Sequence, residues 1–383
     1  MIGYRTLAIP ALILAGAAAA AIAAPAARAA EGPKLTPYGF IRLDAIFDDS
    51  RMSDPQYPFW VSSEPASKRN DKELDMHPRL TRLGMKLSPY DVGHGVSASG
   101  IVEVDFQNGG KESREILRMR HAFVQFAKGS WELLAGQTWD LISPLYPAAN
   151  NDGMMWNAGN TGDRRPQARF TLHPSGGGSR IALMVGMPNA VNNQDLDQNG
   201  QLDGLDAAVP VVQALVEARG SRVLAGVWGH VAVDRVAVHG HERNFTGALL
   251  GGHLRAEASK RVALQGEAYW GQNADDVRAG IGQGINLAAG NGKVVRTVGG
   301  WAEVAVKASD LYDVTVGATV DDPDRHDLAA GGRRLNQATY LVQHFHPWDR
   351  TTFGVEYLHW ITRYLDAPDG IANRIDAFAS YSF

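Results

Sequence analysis

Asn373-Arg-Ile-Asp-Ala-Phe-Ala-Ser-Tyr-Ser-Phe383, the last eleven residues of the chain, is the stretch whose reading decides the fold. Ile375, Ala377, Ala379, Tyr381 and Phe383 take every second position, with Arg374, Asp376, Phe378, Ser380 and Ser382 between them. A strand turns successive side chains to opposite faces, so this segment has one apolar face and one largely polar face. An apolar outside and a wet inside are what a membrane-spanning barrel requires of each strand. The edge strand of a soluble sandwich alternates in the same way, so the decision passes to the rest of the chain.

Fifteen further alternating segments precede it, beginning Pro37–Phe47, Arg79–Leu87, Val96–Phe106 and Ile116–Phe126 and ending Thr352–Ile361. Among them are Val223–Val231 and Thr246–Ala256. The spacers obey a rule. After even-numbered segments they are short, as in Lys128-Gly129-Ser130, Arg219-Gly220 and Ala308–Asp310; after odd-numbered ones they are mostly long, as in Asp48–Pro78, Trp139–Pro166 and Gly271–Thr297. Membrane barrels have short periplasmic turns and longer external loops in alternation, whereas a sandwich has no reason to sort its loops by parity. The expected fold is therefore an all-β transmembrane antiparallel barrel of about 16 strands.

The amino terminus and the composition agree. Met1–Ala29 has a basic Arg5, an apolar Ala-rich run and a small-x-small site at Ala27-Arg28-Ala29, the order of a secretory signal peptide. The barrel domain is then expected over 30–383. Without the leader the chain carries 35 basic and 41 acidic residues, a net charge of −6, which argues against a nucleic-acid partner. No later apolar run approaches the roughly 18–20 residues of a spanning helix. A bilayer crossing then requires a closed sheet, because backbone polar groups in hydrocarbon must all be paired. The absence of cysteine removes disulfides, thiolate metal sites and Cys nucleophiles together.

Within single strands the two faces are explicit. Gly39, Ile41, Leu43, Ala45 and Phe47 oppose Tyr38, Phe40, Arg42 and Asp44, and Val102 and Val104 oppose Glu103 and Asp105. The fourth segment changes phase: Leu117 and Met119 give way to Ala122, Val124 and Phe126, which predicts a bulge near His121. Tyr38, Trp131, Trp270, Trp301, Tyr312, Tyr357, Trp360 and Tyr381 stand near strand ends, where interfacial girdles or plain aromatic β-propensity place them.

Tyr38-Gly-Phe-Ile-Arg-Leu-Asp44, Arg82-Leu-Gly-Met-Lys86, Glu103-Val-Asp-Phe106 and Leu117-Arg-Met-Arg-His-Ala-Phe123 follow one another in order, then Leu134-Ala-Gly-Gln-Thr-Trp139. Gly266-Glu-Ala-Tyr-Trp-Gly-Gln272, Gly299-Gly-Trp301 and Val320-Asp-Asp-Pro323 complete a set that resembles Gram-negative outer-membrane porins, and among them the trimeric DcaP-like porins. The resemblance covers nearly the whole chain after the leader. It implies a homotrimer in outer-membrane lipid that passively admits small hydrophilic solutes, with small anions such as dicarboxylates preferred. One departure is that few residues separate the leader from the first strand, so the helical periplasmic extension of some DcaP-like proteins has no counterpart. A barrel acting as a structural element or receptor through its external loops is the competing function.

In a pore, lining charge does the work. Arg42, Arg82, Lys86, Arg118, Arg120 and Arg169 fall on polar faces, as do Asp44, Glu103, Asp105 and Glu267, and all are expected inside. A lipid-facing Arg or Lys at the midplane costs about 2–4 kcal/mol. Clustered guanidinium groups pair with carboxylate or phosphate; cross-strand pairing that stiffens the wall is the other role for such charges. The long spacer Trp139–Pro166 is the candidate constriction loop, with Asp140, Asp152, Met154, Trp156, Arg164 and Arg165. A plain external loop would be equally polar, though Met154-Met155-Trp156 is oddly apolar for exposed surface.

Asp195, Asp197, Asn199, Gln201, Asp203 and Asp206 fall at positions one, three, five, seven, nine and twelve of a loop with Gly200 at six. That is the spacing of a twelve-residue calcium loop, with Asp at twelve in place of Glu and no flanking helices expected. A structural calcium is one reading and a polar surface loop the other. Gly280-Ile-Gly-Gln-Gly284 lacks the strand and helix of a dinucleotide loop, and no nucleophile motif is present, so catalysis is not expected.

Overall fold

The structure is a computed structural model that describes residues 32–383 except 66–70, 109–113, 150–152, 175–177, 189–190 and 192–193. Met1–Ala29, expected as a leader, and Asp152 thus lie outside the described residues. Sixteen wall strands follow in order. They are β1 (Leu35–Asp48), β2 in two pieces (Glu73–His77 and Arg82–Gly93), β3 (Val96–Asp105), β4 (Arg118–Lys128), β5 (Trp131–Trp139) and β6 (Arg164–Leu172). Next come β7 (Arg180–Gly186), β8 (Val211–Arg219), β9 (Val223–Val238), β10 (His241–Glu257) and β11 (Val262–Gln272). The last five are β12 (Arg296–Lys307), β13 (Tyr312–Pro323), β14 (Arg333–Phe345), β15 (Thr351–Tyr364) and β16 (Gly370–Ser382). Each pairs antiparallel with its neighbours, and β1 pairs with β16 through Ile41–Tyr381, Asp44–Phe378 and Asp48–Arg374, so the sheet closes. Phe383 completes the seam, its backbone N–H donating to Gly39 at 3.0 Å.

Local chemistry explains the irregular places. Pro78 has no N–H to give the ladder and parts the two pieces of β2. The Thr81 hydroxyl repairs the gap by accepting the Arg42 backbone N–H at 3.1 Å. In β4, Glu103 faces His121 while Val104 faces Met119, which leaves Arg120 as the extra residue of a bulge. The bulge expected near His121 is therefore present one position earlier. β9 and β10 run longer than their alternation suggested, because the turn at His239-Gly240 is tight and the hairpin rises above the wall. Its inner residues Val236, Val238 and Phe245 are buried against Leu196, Ile285, Leu287 and Val294 of the neighbouring loops.

Outward positions are apolar from strand to strand: Ile41, Leu43, Leu183, Val216, Val227, Leu254, Leu264, Val316 and Ile375 are all exposed. Trp270, Tyr357 and Tyr381 are exposed on that surface too. Trp131 and Tyr312 are half-buried, and the other three expected girdle residues turn inward. Trp301 and Trp360 are buried, with the Trp360 indole donating to Asn336, and the Tyr38 hydroxyl donates to Glu103 at 2.9 Å. Strand parity overrides aromatic preference at these positions.

The buried apolar clusters lie inside the barrel. One joins Met52 and Val61 of loop 1 (residues 49–72) and Ala149, Met155 and Ala158 of loop 3 (140–163) to Tyr340, Val342, Leu358 and Trp360 of the wall. The other joins Leu141 and Ile142 of loop 3 and Ala274, Val277 and Ala279 of loop 6 (273–295) to Met184, Leu215, Trp228, Leu249 and Tyr269. Three external loops are thus packed inward on the inner face of β7–β16.

Candidate functional site

Loop 3 begins and ends at one buried ion pair. Arg165 donates to Asp140 at 2.6 and 3.1 Å, and Asp140 N–H donates to the Asp163 carbonyl at 2.8 Å. From that base the loop runs along the inner wall. Leu141 N–H donates to Gln213 of β8, Leu145 N–H to Glu267 of β11 and Ala148 N–H to Glu303 of β12, each at 2.8 Å. The Ser143 hydroxyl also donates to Glu267, and Asn336 of β14 donates to the Asn157 carbonyl. Glu267, expected on the open lumen, therefore points inward but lies beneath the loop, its oxygens taken by loop donors. Gly159 lies so close to the wall that a Cβ there would stand 2.3 Å from the Gly300 carbonyl oxygen. Met154, Met155 and Asn157 all have positive φ, a cost that only tight surrounding contacts maintain. Met155 and Trp156 are fully buried, which accounts for their apolar character.

Loop 6 pairs with loop 3 as a short ladder would: Asn157 N–H donates to Arg278 and Gly162 N–H to Val277, at 2.9 and 2.8 Å. Asp276 joins the base at 3.5 Å from Arg165 and 3.1 Å from His230. Burial pushes its carboxyl up, but the neighbouring His230 and Arg165 prevail and hold it below the ordinary carboxylate range. Loop 1 is tied by Val61 N–H to Thr362 and by the Tyr364 hydroxyl to the Val61 carbonyl.

These loops meet the charged wall of β2–β4. Arg118 grips Asp105 with two bonds of 2.8 and 2.7 Å, and Arg120 bonds Glu103 and Asp105 at 2.8 Å each. Arg82 lies 3.5 Å from Glu103. The Arg120 bulge is what brings Arg118, Arg120 and His121 to bear on two carboxylates of β3. Across from them Arg164 stacks on Trp139 at 4.4 Å, Arg278 on Phe59 at 4.8 Å and Arg333 on Trp60 at 4.0 Å. Tyr57 bridges the two sides, 5.9 Å from Trp156 and 5.7 Å from Arg118. Among the described residues, Asp163 brings a carboxylate to these stacked arginines, 3.0 Å from Arg278 and 3.6 Å from Arg164. Among the described residues named here, six guanidinium groups thus face three carboxylates, and each of the six lies against an aromatic ring that restricts its orientation.

The remaining candidates are spread out. Arg42 bonds Asp44 on its own strand and stacks 3.6 Å over Phe378; Lys86 is exposed near the Tyr38 ring. Arg169 donates to Gln167 and to the Trp139 carbonyl. Arg278, Arg333 and Asp163 were not among the residues expected to line the pore. Tyr57-Pro-Phe-Trp60, as apolar as Met154-Met155-Trp156, was the available signal for loop 1.

In loop 4 (187–210), oxygens of Asp195, Asp197 and Asp203 lie within 4.8 Å of one another. Asp206 stands apart and accepts from the Asn199 amide at 2.7 Å. A one-turn helix α1 (Asp203–Ala207) follows, although none was expected: the chain turns there to place Asp203 under the loop. Burial and the nearby Asp234, Asp197 and Asp195 push the Asp203 carboxyl up to about 7 despite the Leu196 N–H that it accepts. No cation of the protein pairs with the three carboxylates among the described residues, so the donor set fits a hard divalent ion.

Several solved structures share the fold. The outer-membrane channel DcaP of Acinetobacter baumannii is similar over 92% of this chain and 98% of that one, with TM-score 0.76 at 19% identity. OmpT of Vibrio cholerae (92% and 98% covered, TM-score 0.61, 12% identity) and the anion-selective porin from Comamonas acidovorans (92% and 100%, 0.57, 13%) are also alike. No curated protein matches in sequence. The model of the Gram-negative porin family matches residues 15–383, and with the closed sixteen-stranded barrel it establishes that the chain belongs to that family of integral outer-membrane channels.

Proposed function

We propose that the protein is a water-filled porin for passive diffusion of small hydrophilic solutes, with a preference for small anions such as dicarboxylates. The observation that carries this reading is the excess of guanidinium over carboxylate between β2–β4 and the inward-packed loops. Guanidinium pairs with carboxylate in bidentate fashion, and a charged ring selects by sign. The net charge of the chain, −4 in full and −6 without the expected leader, does not oppose it, because the field in a lumen is local. Arg42, Lys86 and Arg169 extend the lining; Asp44, Glu103 and Asp105 hold the arginines in place. A homotrimer, as recorded for the Vibrio protein of similar fold, and a structural calcium in loop 4 belong to the same proposal. In proteoliposomes, labelled succinate is expected to enter severalfold faster than labelled putrescine, a dication of similar length. Faster putrescine uptake would overturn the anion preference.

A further inference from the structure

A second basic cluster lies on the periplasmic side of loop 3, away from the residues described above. β7, β8 and β10 bring Arg180, Arg219 and Arg255 to the inner face, since Ile181, Val216 and Leu254 beside them point outward. The short turn between β8 and β9 adds Arg222. Together these four arginines line a cavity of about 560 Å³ whose ceiling is Pro144 and Leu145 of loop 3.

The charge of this cavity is not balanced. Glu217 accepts from Arg180 at 3.0 Å and from His253 at 3.0 Å, so it is already engaged. Arg219 and Arg222 have no carboxylate partner among the described residues, and Glu257 is the only other acid in the lining. Space has been kept for one of these arginines: a Cβ on Gly178 would stand 2.8 Å from the Arg219 side chain. Arg169 links the two basic regions. It is level with Met184, four residues along β7 from Arg180, about 13 Å by strand rise.

We propose that this cavity is a distinct binding station for a small polyanion carrying carboxylate or phosphate groups, occupied between the loop 3 aperture and the periplasm. Arg219, Arg222 and Arg255 supply the charge, and Arg180, locked to Glu217, supplies a fixed edge. A guanidinium presents paired donors to either group, and three of them around one cavity favour two or more negative charges. The inference rests on the anion-preferring reading of the pore.

The test is block of single-channel current by citrate and by pyrophosphate, each added to one face of oriented channels. Wild-type protein is expected to be blocked from the periplasmic face, and Arg219→Gln/Arg222→Gln to lose that block about tenfold while block from the external face stays within twofold. Glu257→Gln, which removes a carboxylate and no arginine, is expected to strengthen periplasmic block. The probe whose block is lost identifies the recognised group. Periplasmic block unchanged in the double variant, or equal losses at both faces, would overturn the station. A wild-type channel without anion preference in a salt gradient would instead sink the broader reading, so the two failures are distinguishable. Heat-modifiable gel mobility of each variant checks that the barrel is intact.

Discussion

Arg120 occupies a bulge, and that single extra residue lets three basic or titratable side chains of β4 reach Glu103 and Asp105. The two acids do not cancel the site; they orient it. Glu103→Gln leaves Arg82 and Arg120 with less counter-charge, so chloride preference over potassium is expected to rise. Arg164→Gln, which removes a guanidinium stacked on Trp139, is expected to lower it severalfold. Both are read as zero-current potentials in a salt gradient. Asp327 of loop 7 (residues 324–332) gives a pH prediction. Burial works against its charge, but bonds from Arg296 and Lys293 prevail and hold its carboxyl down to about 2. Its folded value is depressed below the ordinary value of about 4, so its contribution is present above pH 4 and is lost as pH falls through about 2. Amide exchange at Arg296, whose N–H donates to Asp327, should accelerate across that window. Asp327→Asn should remove the step.

Among the elements, loop 3 depends on two carboxylates of the wall. Hydrogen bonds to charged groups contribute about 1.5–3 kcal/mol each, and Glu267 and Glu303 between them accept three from the loop. Glu267→Gln/Glu303→Gln is expected to raise open-channel noise and mean conductance while the barrel still resists heat in gels; a quiet channel of unchanged conductance would show that the latch is unimportant. Loop 4 predicts a lower unfolding temperature in chelator, restored by calcium and absent in Asp203→Asn. Alternation along Ile41–Phe47 and Ile375–Phe383 made the in-and-out sense of the wall legible, because strand geometry alone sets it. The same rule places Trp301 and Trp360 inside, where aromatic preference had suggested the interface. It says nothing about Glu267, whose partner Leu145 is 122 positions away in the chain. Loop 6 was unreadable for the same reason: Val277 and Arg278 are ordinary loop residues until they bond Gly162 and Asn157.

At the scale of the whole molecule, the barrel divides its inner face into two parts. β7–β16 hold the apolar sides of loops 1, 3 and 6, and β2–β4 present arginine to what those loops leave open. The parity of connection lengths was visible in the sequence and gave the number and direction of the strands. The seam between β1 and β16 accounts for the alternating carboxy terminus, since Tyr381 and Phe383 close the sheet at its periplasmic end. Which loops fold inward depends on tertiary contacts between distant residues, and these determine the charge that a solute meets. The zero-current potential of purified protein in a planar bilayer under a tenfold potassium chloride gradient tests this most directly. Conducting channels with the sign of an anion-preferring pore are expected. A cation-preferring sign, or no open channel, would contradict this expectation.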